Sequence, residues 1–265
     1  TTPDGFINAD KLALSDFAGR KVILVDFWTY SCINCQRTIP YLNAWHEKYG
    51  DAGLIIVGVH TPEFEFEKKY DNVLAAVKKF GIRYPVALDN DYSTWNAYGN
   101  RYWPRKYLID IDGFIVYDHI GEGAYDATEA RIQEALEERM RVLGEHRELE
   151  KTVSRPADAP VIDFTKIKST ETYFGSLRNR NFGSGNSGAA GDFSFDQPSQ
   201  IRKNTLYLAG RWDIRPEFAE SVAAGAKIIF RYDAKDVYLV ASSDEGARIK
   251  IMRDGKPLGS AAGRD

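Results

Sequence analysis

Residues 21–28, Lys-Val-Ile-Leu-Val-Asp-Phe-Trp, form a nearly unbroken apolar run of strand length. A run without polar alternation fits a strand buried on both faces, as in a sheet covered by helices. It ends where the only two cysteines of the chain begin, Cys32 and Cys35 in the stretch "WTYSCINCQRTIP". Helical spacing then holds over 33–49 and stops at Gly50. Pro40 lies inside that helix and predicts a kink, because proline removes one backbone bond and crowds the preceding turn.

The same alternation continues. Residues 53–60 read as a second apolar strand, and Phe66, Tyr70, Val73, Leu74 and Val77 recur at helical spacing before Gly81. A short strand over 84–88 and a brief helix over 93–98 follow. Asp112-Gly113 sits between strand-like runs at 105–110 and 114–120, a hairpin signal. A last helix, 126–143, puts Ile132, Leu136, Met140 and Leu143 on one face. Helices crossing between strands imply an α/β sheet with both faces covered.

After Gly144 the pattern changes. Residues 145–168 are charged, contain Pro156 and Pro160, and lack periodicity, so they read as a linker. Beyond Glu171, strands are expected at 203–209, 226–232, 236–241 and 247–253, with a Gly/Ser/Asn loop at 183–191 and no helix. The expectation is therefore an α/β domain over 1–145, a linker over 146–168, and an all-β, jelly-roll-like sandwich over 169–265. Two domains also suit a length of 265 residues. A complete jelly roll needs strands beyond Gly263-Arg-Asp265, so the sandwich is expected to be truncated.

Net charge −3 gives no basis for a nucleic-acid or anionic-membrane partner. The longest apolar runs are strand-sized, too short to span a bilayer. The start at Thr1-Thr2-Pro3, without Met, reads as a mature or excised form, so a missing targeting segment carries little weight.

Two cysteines three apart close only a tiny loop, which adds little stability. One such bridge is no disulfide scaffold, so the pair reads as chemistry. A helix N-terminus stabilises the thiolate of the first cysteine, and the second, one turn on, is placed to resolve a mixed disulfide. Haem attachment would need histidine where Gln36 stands, and His46, His60, His119 and His146 are too scattered for zinc. Two inert buried cysteines are the remaining alternative.

Val25-Asp-Phe-Trp28, Cys32-x-x-Cys35 and Pro40 together resemble the thioredoxin superfamily. Leu12-Ala-Leu-Ser-Asp-Phe-Ala-Gly-Arg20 and the helix at 66–80 resemble its extracytoplasmic TlpA-type branch. "WTYSCINCQRTIP" and "RYWPRKYLIDIDG" resemble the soluble C-terminal part of DipZ-type thiol–disulfide proteins. In those, a CcdA-like membrane electron carrier precedes a thioredoxin-like domain, and a carbohydrate-module-like β-sandwich follows it. The motifs lie within 1–145; the remainder is matched by architecture.

The resemblance implies that Cys32 is the nucleophile and Cys35 the resolving thiol. Pro104 matches the cis-proline that offers a backbone edge to substrate, and X-Pro bonds are the ones that adopt cis at modest cost. Trp103 departs from the small or β-branched residue usual there and would set a bulky wall beside the sulfurs. Asp26, in the strand below the pair, is expected to take the proton from Cys35, or else to be hydrogen-bonded at the sheet's end. Glu63 matches a second acid near the cysteines, with a solvated loop charge as the alternative. Trp28 and Tyr30 flank the turn as a docking surface, or as packing residues.

The whole reads as an extracytoplasmic thiol–disulfide oxidoreductase, membrane-tethered in its parent protein, that reduces disulfide-bonded protein substrates and is itself reduced by a CcdA-like donor. No organic cofactor or metal is needed, because the two sulfurs carry both electrons. Two alternatives stay open. One is the same pair acting as a disulfide oxidase or thiol peroxidase. The other is an envelope glycan-binding module, in which Tyr173, Phe174, Phe182 and Trp212 stack on sugar rings rather than fill the sandwich core.

Overall fold

The computed structural model describes residues 5–166, 168–243 and 246–259. Residues 1–3 and 263–265, on which the readings of the chain's two ends rest, lie outside them. The first part runs β1 (Gly5–Ile7), β2 (Val22–Trp28), α1 (Ile33–Tyr49), β3 (Leu54–His60), α2 (Tyr70–Lys79) and β4 (Val86–Leu88). It continues through α3 (Ser93–Ala97), β5 (Arg105–Ile109), β6 (Ile115–Ile120) and α4 (Tyr125–Leu143). The six strands form one sheet in the order β1-β4-β3-β2-β5-β6. Strands β2, β3 and β4 are mutually parallel, and β1, β5 and β6 join antiparallel. Three residues of β1 are too few to show periodicity in sequence; pairing with β4 makes them a strand.

All seven residues of β2 are buried, as the unbroken apolar run requires. Alternation sorts them between two layers. Val22, Leu24 and Trp28 pack with Ile39, Leu42 and Trp45 of α1 and Ile132 and Leu136 of α4. Ile23, Val25 and Phe27 pack on the opposite face with Trp95 and Tyr107. Asp26 therefore points, by parity, into the α1 layer. Helix α1 runs through Pro40 and closes where the Gly50 N–H meets the His46 carbonyl at 3.1 Å.

The expected linker is tied down at its start. Ser154 donates from N–H and Oγ to the buried Glu129 of α4, both at 2.7 Å. Arg155 pairs through both terminal nitrogens with Asp126 at 2.6 and 2.7 Å, and Leu149 packs on the α1 layer. A charged sequence reads as solvated, but here its charges and carbonyls have partners on α1 and α4.

The C-terminal part holds β7 (Gly191–Phe195), β8 (Leu206–Ile214), β9 (Ala219–Ser221), β10 (Lys227–Phe230), β11 (Met252–Arg253) and β12 (Lys256–Pro257). The nine-residue β8 is central; β7, β9 and β10 all pair with it antiparallel, while β11 and β12 form a separate hairpin. This sheet-rich region does not show the two facing sheets of a jelly roll among the described residues. Among the described residues the expected strand at 236–241 is absent, and of that expected at 247–253 only Met252–Arg253 pairs; Val237, Tyr238, Leu239 and Ile249 are exposed and join no ladder. Apolar, β-prone sequence becomes a strand only where a neighbour supplies ladder partners. A core of its own gathers Phe182, Leu208, Trp212 and Ile214.

Candidate active site

Cys32 is the N-cap residue of α1, and its Sγ accepts the Cys35 N–H at 3.4 Å. Both thiols are free; Cys32 is half-buried and Cys35 is 1% exposed. The turn before them is held from several directions. Gln36 Nε2 donates to the Tyr30 carbonyl at 2.8 Å, and the Tyr30 N–H donates to His60 Nε2 at 3.3 Å. Burial pushes His60 down to about 3, so it stands neutral and serves as an acceptor.

Glu67 anchors the same turn and escaped the sequence reading. Its Oε1 accepts Ser31 N–H and Oγ–H at 3.3 and 2.5 Å, and its Oε2 accepts the N–H groups of Glu63 and Phe64 at 2.6 and 2.9 Å. A fully buried carboxylate with four donors is a satisfied anchor. It clamps the cysteine turn to the loop after β3. One charged residue among Glu63-Phe-Glu-Phe-Glu67 gives no pattern that would separate it from its solvated neighbours.

The Trp103–Pro104 bond is cis, and the Trp103 carbonyl oxygen lies 4.0 Å from Cys32 Sγ. The indole is held by its own contacts: Nε1 donates to the Thr61 carbonyl at 2.9 Å, and the ring packs on Trp95 at 4.2 Å.

Two buried titratable groups lie near Cys35. Asp26 stands opposite Lys106 in the β2–β5 register, and both are essentially unexposed. Burial pushes the Asp26 carboxyl up to about 7, against the pull of the Lys106 charge, and Oδ1 has no hydrogen-bond partner among the described residues. Burial pushes the Lys106 amine down. The Cys35 thiol is pushed well above its ordinary range, by burial first, then by its hydrogen bond and charge interaction with Cys32, and in part by the Asp26 charge. Gly58, across from Asp26 on β3, leaves the space: a Cβ there would stand 3.0 Å from Trp28 Nε1 and 3.2 Å from the Tyr84 ring.

The other expected site residues fall elsewhere. Glu63 is largely buried, which raises its carboxyl, and it gives that carboxylate to Arg178 of the C-terminal part at 2.6 Å. Tyr30 is half-buried and stacks on His60 at 5.7 Å. Trp28 is 1% exposed and meets His60 edge-on, so it packs beneath the turn instead of forming the docking surface considered for it. Phe182 and Trp212 are buried in the C-terminal core, with Phe174 packed against it, which removes three of the four aromatics from a sugar-stacking face. Tyr173 lies under the Arg178 guanidinium at 3.9 Å. Among the described residues no group of three or more His, Cys, Asp or Glu could hold a metal ion, and no helix is long and apolar enough to cross a membrane.

A strand, a half-buried thiol at a helix N-terminus, a buried second thiol and a carboxyl nearby make an arrangement suited to dithiol–disulfide exchange. Comparison with known proteins agrees. The Redoxin family matches residues 8–136, and the thioredoxin-like C-terminal domain family matches 169–265. Protein DipZ of Mycobacterium bovis is 41% identical over 239 residues, covering 89% of this chain and 33% of DipZ. The chain thus spans about a third of that relative's length. Thiol-disulfide oxidoreductase ResA of Bacillus thuringiensis is 30% identical over 127 residues, 48% of this chain and 70% of ResA. Among solved structures, a thioredoxin-like protein in its oxidised form aligns with 52% of this chain and 92% of its own, at 27% identity and TM-score 0.48. With 70% of ResA matched and both parts of the chain recognised, the protein belongs to the thiol–disulfide oxidoreductases of the thioredoxin superfamily and is similar to about a third of DipZ.

Proposed function

We propose that the chain reduces the disulfides of protein substrates outside the cytoplasm, cycling Cys32 and Cys35 between dithiol and disulfide. The observation that carries this is the asymmetry of the pair: Cys32 half-exposed at a helix N-terminus, Cys35 buried near Asp26. The Cys32 thiolate attacks one substrate sulfur; the Cys32–substrate bond forms as the substrate S–S bond breaks and the other sulfur leaves. Asp26 takes the proton of Cys35, whose sulfur attacks Cys32 Sγ and expels the second substrate thiol. Two electrons pass to the substrate, and the chain is left with a Cys32–Cys35 disulfide. The Trp103 carbonyl beside Cys32, next to Pro104, offers a main-chain partner to an extended substrate segment.

The reductase direction goes with the electron donor that the resemblance suggests; burial and the Asp26 charge hold Cys35 as the thiol until Asp26 takes its proton. Resemblance to DipZ supports a CcdA-like membrane donor, membrane tethering in the longer parent, and an extracytoplasmic site. We assign the chemistry to the first part of the chain and the choice of partner to the last. A glycan-binding role loses support with Phe174, Phe182 and Trp212 in or against the core.

Insulin reduction driven by a dithiol tests the reading. Cys32→Ser should abolish turnover, while Cys35→Ser should trap mixed disulfides; adducts on Cys32→Ser with normal turnover of Cys35→Ser would reverse the roles. A reduction potential as high as that of a strong oxidant, measured against a glutathione series, would overturn the direction.

A further inference from the structure

The C-terminal end of the strip 171–178 is tied by backbone to the turn between β8 and β9. The Ser176 and Leu177 N–H groups donate to the Arg215 and Pro216 carbonyls at 2.9 and 3.0 Å. The seat is close: a Cβ on Gly175 would collide with the Glu217 backbone. By side chain, however, the strip belongs to the cysteine turn. Asn34, between the two cysteines, donates from Nδ2 to Glu171 Oε1 at 3.3 Å. The Tyr173 hydroxyl donates to Glu171 Oε2 at 3.0 Å, and the Arg178 guanidinium covers the Tyr173 ring at 3.9 Å. Arg178 Nη1 then reaches Glu63 Oε1 at 2.6 Å. Glu63 stands in the loop that Glu67 ties to Ser31, the residue before Cys32.

The strip thus touches the motif on its helix side through Asn34 and on its loop side through Glu63, with Cys32 in the turn between. We propose that Glu171, Tyr173 and Arg178 are specificity-determining residues, forming a strap that narrows the approach to Cys32 and selects against bulky disulfide substrates. The proposal rests on the reductase reading for its biological sense. The strap's two ends differ in kind. Its backbone is bonded to the turn between β8 and β9, whereas its hold on the redox turn is by a few side chains, and Arg178 keeps 38% of its side chain exposed. Contacts of that sort release reversibly, so a small or loosely folded disulfide reaches the thiol directly and a large one must first lift the strap. A plain interface between two parts of a chain has no need to place one of its contacts between the two cysteines.

The test uses the full chain carrying Cys35→Ser, so that Cys32 is the only thiol. Rates of its modification are measured with N-ethylmaleimide and with the same maleimide carried on a protein-sized polyethylene glycol. Both react through one thiolate, so their ratio cancels any change in ionisation. Adding Glu171→Ala and Arg178→Ala should raise the large-reagent rate roughly tenfold, the factor that release of a contact worth about 1.4 kcal/mol gives. The N-ethylmaleimide rate should stay within about twofold of its starting value, since no strap blocks it. Arg178→Gln alone, milder toward packing, should shift the ratio the same way. An unchanged or falling ratio in both variants would overturn the strap. Because alkylation does not depend on the direction of electron flow, failure of insulin reduction would remove the reductase reading and leave this result standing.

Discussion

Replacing Asp26 by Asn should stabilise the reduced protein, and more so as pH rises. In the folded chain this carboxyl titrates near 7 instead of its ordinary 3.8, chiefly through burial. A group raised in this way keeps its proton longer in the folded than in the unfolded state. Its contribution to stability is whole below pH 3.8 and is lost as pH rises through about 7. The difference, at 1.36 kcal/mol per pH unit, comes to about 4 kcal/mol of cost in the ionised protein. Asparagine has no such cost, but it leaves the buried Lys106 amine without its nearest opposite charge, which returns part of the gain. The net expectation is about 2–3 kcal/mol in favour of the variant at pH 8, falling toward zero at pH 4. Urea unfolding followed by tryptophan fluorescence reads it well, since Trp28, Trp45, Trp95 and Trp103 are all in the first part of the chain. The price is kinetic: resolution by Cys35 should slow near neutral pH while alkylation of Cys32 persists. A stability difference that does not vary between pH 4 and pH 8 would refute the assignment of the buried charge to Asp26.

Glu67→Ala should cost about 2–4 kcal/mol, because the N–H groups of Ser31, Glu63 and Phe64 lose their acceptor in a dry place. Glu67→Gln should recover part of that and part of the insulin-reduction rate; wild-type stability in the alanine variant would show that the clamp carries nothing. A fragment of residues 1–155 should reduce a small disulfide at close to the full chain's rate, and a fragment ending at 145 should be less stable by about 1–3 kcal/mol, having lost the Ser154 and Arg155 contacts to α4. Thermal melts of the two fragments decide it, equal midpoints meaning that 146–155 is a passive linker.

The redox half was legible because its signals are local and periodic. A nearly unbroken apolar run of strand length fits a doubly covered strand, and in the folded sheet the parity of that run puts Asp26 on the face where α1 and Cys35 lie. The hairpin over β5 and β6 came from Asp112-Gly113, where Gly113 takes φ 93°, the conformation that glycine adopts without strain. The C-terminal half was harder to read. Asp192-Phe-Ser-Phe195 does alternate, with both phenylalanines turned inward, but it follows a Gly/Ser stretch and is short enough to pass for loop. Conversely, Val237-Tyr-Leu-Val240 has every local mark of a strand and no neighbour to pair with among the described residues.

What no local reading reached is the set of charges that act over long separations. Glu67, Lys106, Arg178 and Glu171 each look like solvated surface when read in sequence, since charged residues usually are. Their roles come from meeting a partner far along the chain: Ser31 for Glu67, Asp26 for Lys106, Glu63 for Arg178 and Asn34 for Glu171. Three of these four pairings converge on residues 31–34 or on the loop clamped to them, and the fourth lies near Cys35. The thiols were found because cysteine is rare in this chain. The groups that position and screen them are common residue types, and only the fold makes them specific.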